Sequence, residues 1–230
     1  MLTLGLVGKN IAHSKSQVVY ETLLARKIDY RFFDYHAPSE IPPLTELFRV
    51  VAGISITSPY KRHFLSQVAE ILDVPIADSI NCIKCENKKF FGTNTDYLAI
   101  GEILPRLLDS YNFSKVIILG DGAMASITKK ILSKLGTISV DNFSRIQTKD
   151  FYHYDYSKLA TKNFKILIIN ACSRDFVFAN LTNEHCVFWD FNYDHVKHRE
   201  RLPESVGLYV DGHEMLELQA RYALKFWNIS

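Results

Sequence analysis

Apolar and polar positions change period along this chain in a way that predicts alternating strands and helices. Short runs rich in β-branched and aromatic residues at 2–7, 30–35, 53–57 and 79–82 read as strands. Residues 83–92 read as a hairpin turning at Glu86-Asn87-Lys88. Residues 16–25 place Val18, Val19, Thr22, Leu23 and Leu24 at helical spacing. Further helices are expected over 41–50, in the residues after Pro59, and over 95–108. The pattern restarts around 109–114. A strand at 115–119, a helix at 123–135 and a strand at 137–141 follow, then buried strands at 164–170 and 186–191. A strand and then a helix starting near Gly212 fill 208–227. The stretch 150–156 is aromatic yet polar and reads as a surface loop or short helix with no chemistry of its own. Such alternation argues for an α/β fold with a mostly parallel sheet. No internal repeat or low-complexity segment interrupts it.

Composition narrows the class. The 230 residues are 47% hydrophobic with a net charge of +2, which is globular and carries no electrostatic footprint for nucleic acid. No apolar run is long enough to span a bilayer. Residues 1–8 lack a basic region and a small-residue cleavage site, so they read as a first strand and not a signal peptide. The four cysteines, Cys82, Cys85, Cys172 and Cys186, include one CxxC pair with no second pair to complete a zinc site. Reduced, buried cysteines and a cytoplasmic location are the expectation, with no metal.

Five segments carry candidate chemistry. They are Ala12-His13-Ser14-Lys15-Ser16, Gly53-Ile54-Ser55-Ile56-Thr57-Ser58-Pro59-Tyr60-Lys61, Asp78-Ser79-Ile80-Asn81-Cys82, Gly92-Thr93-Asn94-Thr95-Asp96 and Asp211-Gly212-His213-Glu214-Met215-Leu216-Glu217-Leu218-Gln219-Ala220. Taken singly each has a plain reading. Ser16 could simply cap its helix, Lys61 could be a solvated surface residue, and Asp96 could charge the first turn of the following helix. Met215, Leu216 and Leu218 could be a core stripe beside a surface Gln219. A sixth segment, Val116-Ile117-Ile118-Leu119-Gly120-Asp121-Gly122-Ala123-Met124-Ala125, reads as a buried strand, a tight glycine turn and a helix start, the place where a dinucleotide pyrophosphate binds.

In this order the segments resemble the shikimate dehydrogenase family, most densely over 5–96 and 211–220. The resemblance implies reversible reduction of 3-dehydroshikimate to shikimate with a nicotinamide cofactor. It implies two α/β domains with a cleft between them: 1–104 with 211–230 for substrate, and a Rossmann-like 105–210 for NAD(P). Lys61 and Asp96 match the family's acid/base pair. Ser14 and Ser16 match its carboxylate ligands. Thr57, Asn81, Asp96, Tyr193 and Gln219 match further substrate contacts. Gly120, Gly122, Ala123, Met124, Asn142, Ser144, Arg145, Phe191 and Gly212 fall at cofactor positions. A monomer or homodimer, with only small-molecule ligands, completes the expectation.

The chain also departs from the family pattern. Gln17 replaces a proline, Ser55 an asparagine and Cys82 a threonine. Asp121 replaces alanine between the glycines, and Ala123-Met124 stand for Gly-Ala. Phe143 replaces the arginine that clamps the 2′-phosphate of NADP, with Arg145 two positions on as a substitute. Asp141 lies about twenty residues past the glycine turn, the spacing of an acid that binds a ribose 2′-hydroxyl. Asn170-Ala171-Cys172-Ser173 and Asp190-Phe191-Asn192-Tyr193 resemble the family's N-A-T and D-x-x-Y, but the proline and threonine that follow are replaced within Asp194-His195-Val196-Lys197. Three functional readings therefore stand: an NADP-dependent shikimate dehydrogenase of reduced size, a relative that uses NAD or acts on quinate or an aminated shikimate, and a non-catalytic shikimate-binding protein.

Overall fold

The computed structural model describes residues 1–75, 78–136, 138–146 and 151–230. They divide into two compact units, one of Met1–Ala99 with Leu216–Ser230, the other of Ile100–Met215.

In the first unit β1 (Thr3–Gly8), β2 (Asp29–Asp34), β3 (Gly53–Ile56), β4 (Glu70–Ile71), β5 (Cys82–Glu86) and β6 (Lys89–Thr93) form one sheet in the order β2-β1-β3-β5-β6-β4. β1 runs parallel to β2 and β3, while β5 is antiparallel to β3 and β6. Parallel neighbours need a crossover, and α1 (Ser16–Leu24) supplies it between β1 and β2. Asn87 and Lys88, at φ 50 and 62, make the two-residue hairpin turn whose twist suits the flanking strands. The sheet has an apolar core on each face. Leu4, Leu6, Tyr20 and Cys82 pack with Ala220, Ala223, Leu224 and Trp227 on one; Val7, Ile54, Ile56, Phe64 and Ile80 pack on the other. The alternation Ile54-Ser55-Ile56 thus turns Ser55 toward the α1 face. Trp227 follows α6 (His213–Phe226) and donates its indole N–H to the Ile83 carbonyl at 2.9 Å. Its ring lies 2.6 Å from where a Cβ on Gly53 would be, so no larger residue fits there.

Three expectations in this unit are corrected. The helix expected over 41–50 shrinks to α2 (Leu44–Leu47), because Pro42 and Pro43 hold the chain extended before it. The residues after Pro59 form turns and no helix, since the Lys61 carbonyl accepts from the Ile80 N–H at 2.8 Å and not from the next helical turn. That same bond occupies Ile80, and the strand expected over 79–82 begins only at Cys82.

In the second unit β7 (Phe113–Leu119), β8 (Ser139–Phe143), β9 (Lys165–Asn170), β10 (Cys186–Asp190) and β11 (Leu208–Val210) form an all-parallel sheet in the order β11-β10-β9-β7-β8. The direction of winding reverses between β7 and β9, which makes the carboxyl ends of those two strands the topological switch point. Residue 137, expected to open the second strand, lies outside the described residues, as does Asp150.

The aromatic stretch after residue 150 lies at the surface only at Tyr152 and His153. Phe151 is 2% exposed and Tyr156 is fully buried, and the short helical turn is confined to Tyr156–Lys158. The reason lies in the covering of the sheet. Ile117, Ile168 and Phe188 are packed by Phe151, Tyr156, Phe176 and Phe178 together with Leu202. Aromatic side chains from irregular segments do there what a crossover helix does elsewhere.

Alongside α3 (Thr95–Ser110) and α4 (Ala123–Leu135), a helix absent from the sequence reading, α5 (Val196–Ser205), is anchored by a histidine in place of an apolar stripe. His198 is fully buried, donates from Nδ1 to Asp190 at 2.5 Å and accepts at Nε2 from the Phe178 N–H at 2.8 Å. His195 caps α5 through Nδ1 and stacks on His198 at 3.7 Å. Burial, then the neighbouring His198, push the His195 pKa below its ordinary value. Its protonation is therefore favoured in the unfolded chain, and stability should be full above about pH 6.5 and fall as pH drops through it. His195→Asn keeps a capping oxygen and removes the titration. Its melting temperature should fall less than that of the wild type between pH 7.5 and about pH 5.5; equal falls would remove His195 from the account.

Candidate active site

The polar site of the first unit is built at the carboxyl ends of β1 and β3. The loop after β1 is tied down by Asp34, whose carboxylate accepts the N–H groups of Asn10 and Ile11 at 2.8 and 3.1 Å. Ser14 ends that loop. Its hydroxyl donates to Ser16 Oγ at 3.0 Å and accepts from the Ser16 N–H at 3.3 Å. Lys15 holds the N-cap position of α1 without a side-chain cap, and Ser16 is the first helical residue. Simple capping by Ser16 is thus not what the fold uses. The two hydroxyls sit together at a helix start whose N-cap residue, Lys15, gives no side-chain cap, where N–H groups and the helix dipole favour an anion.

Lys61 and Asp96 come together as the resemblance implies. Lys61 Nζ lies 2.7 Å from Asp96 Oδ2, with side chains 13% and 10% exposed. The aspartate does not cap its helix. Asn94 does, accepting the Tyr97 N–H at 3.1 Å, while its own amide is fixed by Ser79. That leaves the Asp96 carboxylate, in the first turn of α3, for the lysine.

Asn81 and Gln219 are joined through Thr95, which the sequence reading did not single out. Asn81 Oδ1 accepts the Thr95 N–H at 2.7 Å, Asn81 Nδ2 donates to Thr95 Oγ1 at 3.0 Å, and Thr95 Oγ1 donates to Gln219 Oε1 at 3.3 Å. One threonine at the start of α3 therefore orients two amides from distant parts of the chain. Thr57 directly follows β3, with its methyl 2.5 Å from where a Cβ on Gly8 would be.

In the second unit the glycine turn sits at the switch point. Gly120 has φ +107, and a Cβ there would stand 3.1 Å from the Ala171 carbonyl oxygen. Both facts demand glycine. Gly122 holds the N-cap of α4 with no side-chain cap, and the first turn, including Ala123 and Met124, carries no acid. This cradle fits a pyrophosphate. Asn142 braces it, donating to the carbonyls of Gly120 and Ile118 at 2.7 and 3.0 Å and accepting from Lys129. Ser144 is buried and Arg145 exposed just beyond β8.

Two departures lose their force. Asp141 lies two residues short of the end of β8 and pairs with Lys115 at 2.7 Å, so it is not placed to take a ribose hydroxyl. Phe143 turns into the aromatic core, with ring centroids 4.9 Å from Tyr154 and 5.8 Å from Tyr156. Asp121 is exposed at the turn.

Phe191 and Gly212 meet through backbone: a Cβ on Gly212 would collide with the Phe191 carbonyl. Tyr193 is half-buried beside His213, and its carbonyl accepts from Arg174 at 2.9 Å. Arg174 also binds the Asp194 carbonyl, at a residue with φ 50, where the family has proline nearby. Burial holds the thiols of Cys82 and Cys172 protonated, the latter with its pKa pushed up to about 12. Cys82 and Cys85 stand on one strand with unequal burial, one buried and one exposed. Among the described residues no cluster of His, Cys, Asp and Glu could hold a metal ion, and no helix is long and apolar enough to cross a membrane.

No family model matches the chain. Curated relatives do. The shikimate dehydrogenase (NADP(+)) of Clostridium botulinum strain Hall is 25% identical over 262 aligned positions, which take in 100% of this chain and 98% of that protein. The one from Saccharolobus islandicus strain L.S.2.15 is 26% identical, over 97% of this chain and 88% of that protein. Among solved structures, shikimate dehydrogenase from Aquifex aeolicus superposes with a TM-score of 0.78 at 24% identity, covering 99% of this chain and 92% of that one. The Thermus thermophilus enzyme in complex with NADP(H) and shikimate gives 0.68 at 20% identity, covering 99% and 93%. Along its whole length in sequence, and in fold, this chain is similar to the shikimate dehydrogenases.

Proposed function

We propose that this chain is an NADP-dependent shikimate dehydrogenase that reversibly reduces 3-dehydroshikimate to shikimate. The buried Lys61–Asp96 pair, 2.7 Å apart among hydroxyls and amides, carries the reading. Reduction of a carbonyl needs a proton at oxygen as hydride reaches carbon. Lys61 gives that proton as an ammonium and takes it back in the reverse direction. Asp96 fixes the position of the lysine through the 2.7 Å contact. The nicotinamide cofactor, when bound, supplies the hydride. Ser14 and Ser16 hold the substrate carboxylate, and Thr57, with Asn81 and Gln219 oriented by Thr95, takes the ring hydroxyls. The Gly120–Met124 turn, Asn142, Ser144 and Arg145 hold the nucleotide. The four free cysteines agree with a cytoplasmic enzyme.

Cofactor reduction followed with shikimate and with quinate, each with NADP and NAD, tests this. Shikimate with NADP should give the highest kcat/KM; no turnover in any pairing would overturn the reading. For the carboxylate, Ser14→Ala/Ser16→Ala should raise the KM for shikimate with little change in kcat. Losing only a cap would cost about 1 kcal/mol of stability and leave KM in place. A lower melting temperature with an unmoved KM would therefore remove the serines from the site.

A further inference from the structure

Two of the three family positions altered in the substrate half, Ser55 and Cys82, are neighbours in space. Ser55 and Cys82 oppose each other as a register pair across β3 and β5. Serine for asparagine and cysteine for threonine take polar reach away from one spot. Tyr20 stands beside it. Tyr20 lies one helical turn after Ser16 on α1, on the same buried face of that helix. It is fully buried, and its hydroxyl oxygen lies 3.1 Å from Ser55 Oγ.

The direction of that bond follows from satisfaction of donors. Burial, reinforced by Tyr30, Cys82 and Asp96, raises the phenol pKa well above its ordinary value, so Tyr20 keeps its proton. A buried hydroxyl proton left without an acceptor is costly. Among the described residues Ser55 Oγ is the acceptor within reach of Tyr20. Tyr20 therefore donates and Ser55 receives. The proton of Ser55 is left uncommitted on a side chain whose residue is 8% exposed, two residues before Thr57.

We propose that Ser55 is a substrate-binding donor, oriented by Tyr20, whose O–H bonds a ring oxygen of a polyhydroxylated cyclohexene acid. The proposal rests on the shikimate reading above. Tyr20 is a positioning residue: it acts through Ser55 and does not touch substrate. Together they replace the longer asparagine with a relay from helix α1, and so set the depth of the site below Ser16 and Thr57.

The test is steady-state kinetics of shikimate oxidation with NADP for the wild type, Ser55→Ala, Tyr20→Phe and the double variant, with melting temperatures for each. Ser55→Ala should raise KM about ten-fold, the effect of one lost hydrogen bond, with kcat nearly unchanged. Tyr20→Phe should raise KM several-fold. The double variant should be no worse than Ser55→Ala alone, because Tyr20 works through the serine. A lower melting temperature with an unmoved KM in both single variants would make the pair merely structural and overturn the inference, as would multiplicative KM effects in the double variant. A wild type that does not oxidise shikimate would overturn the reading and this inference together. An active wild type with unmoved variants overturns the inference alone.

Discussion

Lys61→Ala is expected to lower kcat for shikimate oxidation by about 10²–10⁴-fold while shikimate affinity stays nearly unchanged. The geometry gives two reasons for so unequal an effect. Lys61 Nζ is held 2.7 Å from Asp96 with both side chains largely out of water, so the group proposed as proton donor is fixed before substrate arrives. The carboxylate and hydroxyl contacts are assigned to other residues, so binding does not depend on the lysine. A complication follows from burial: alanine leaves Asp96 with an uncompensated charge, and breaking a buried pair is destabilising. Asp96→Asn separates the two effects, because it keeps the lysine and removes the carboxylate. It should lower kcat as well, and the Lys61→Ala/Asp96→Asn double variant should be little slower than Lys61→Ala, since groups acting as a unit are not additive. Near-normal turnover of folded Lys61→Ala, judged by circular dichroism and shikimate calorimetry, would end the acid/base assignment.

What could be read from the chain alone depended on how local each signal was. Strand–turn–helix at Gly120 was legible because a glycine pair between a β-branched run and a helix start has one main structural meaning. The Lys61 and Asp96 segments were legible as short runs in a fixed order. Thr95 was not, although it stands in one of those runs. Its importance comes from joining Asn81 to Gln219, and that link exists only in three dimensions. Tyr20 was hidden for the same reason: on α1 it reads as one more large residue of the buried face. Helix α5 escaped because its buried anchor is His198 on Asp190, which hydrophobic periodicity does not register. The buried Phe151 and Tyr156 escaped because their neighbours in sequence are polar, while the sheet they cover is made of distant strands.

Removing Arg145 should reduce NADP affinity by about 10–100-fold and leave NAD affinity nearly unchanged, the loss of a charge-assisted contact worth about 1.5–3 kcal/mol. The other candidates at this end of the sheet are accounted for. Asp141, which would favour NAD, is neutralised by Lys115 and sits back along β8. Phe143 stands in the family's arginine position but faces Tyr154 and Tyr156. Asn142 is committed to the Gly120 carbonyl. Arg145 is exposed, and its charge is felt at the Cys172 thiol, opposing that of Asp121 there. Cys172 in turn borders Gly120, where a Cβ would be 3.3 Å from its backbone nitrogen. The proposed role of Arg145 is to receive the 2′-phosphate just beyond β8, beside the turn that carries Asp121, the acid of the glycine segment. Titration calorimetry of the wild type and Arg145→Ala with NADP and NAD decides the matter. An equal loss for both nucleotides would make Arg145 a general counter-charge to Asp121 and not a 2′-phosphate clamp. Binding of both at millimolar strength or weaker by the wild type would favour a shikimate-binding protein without redox activity.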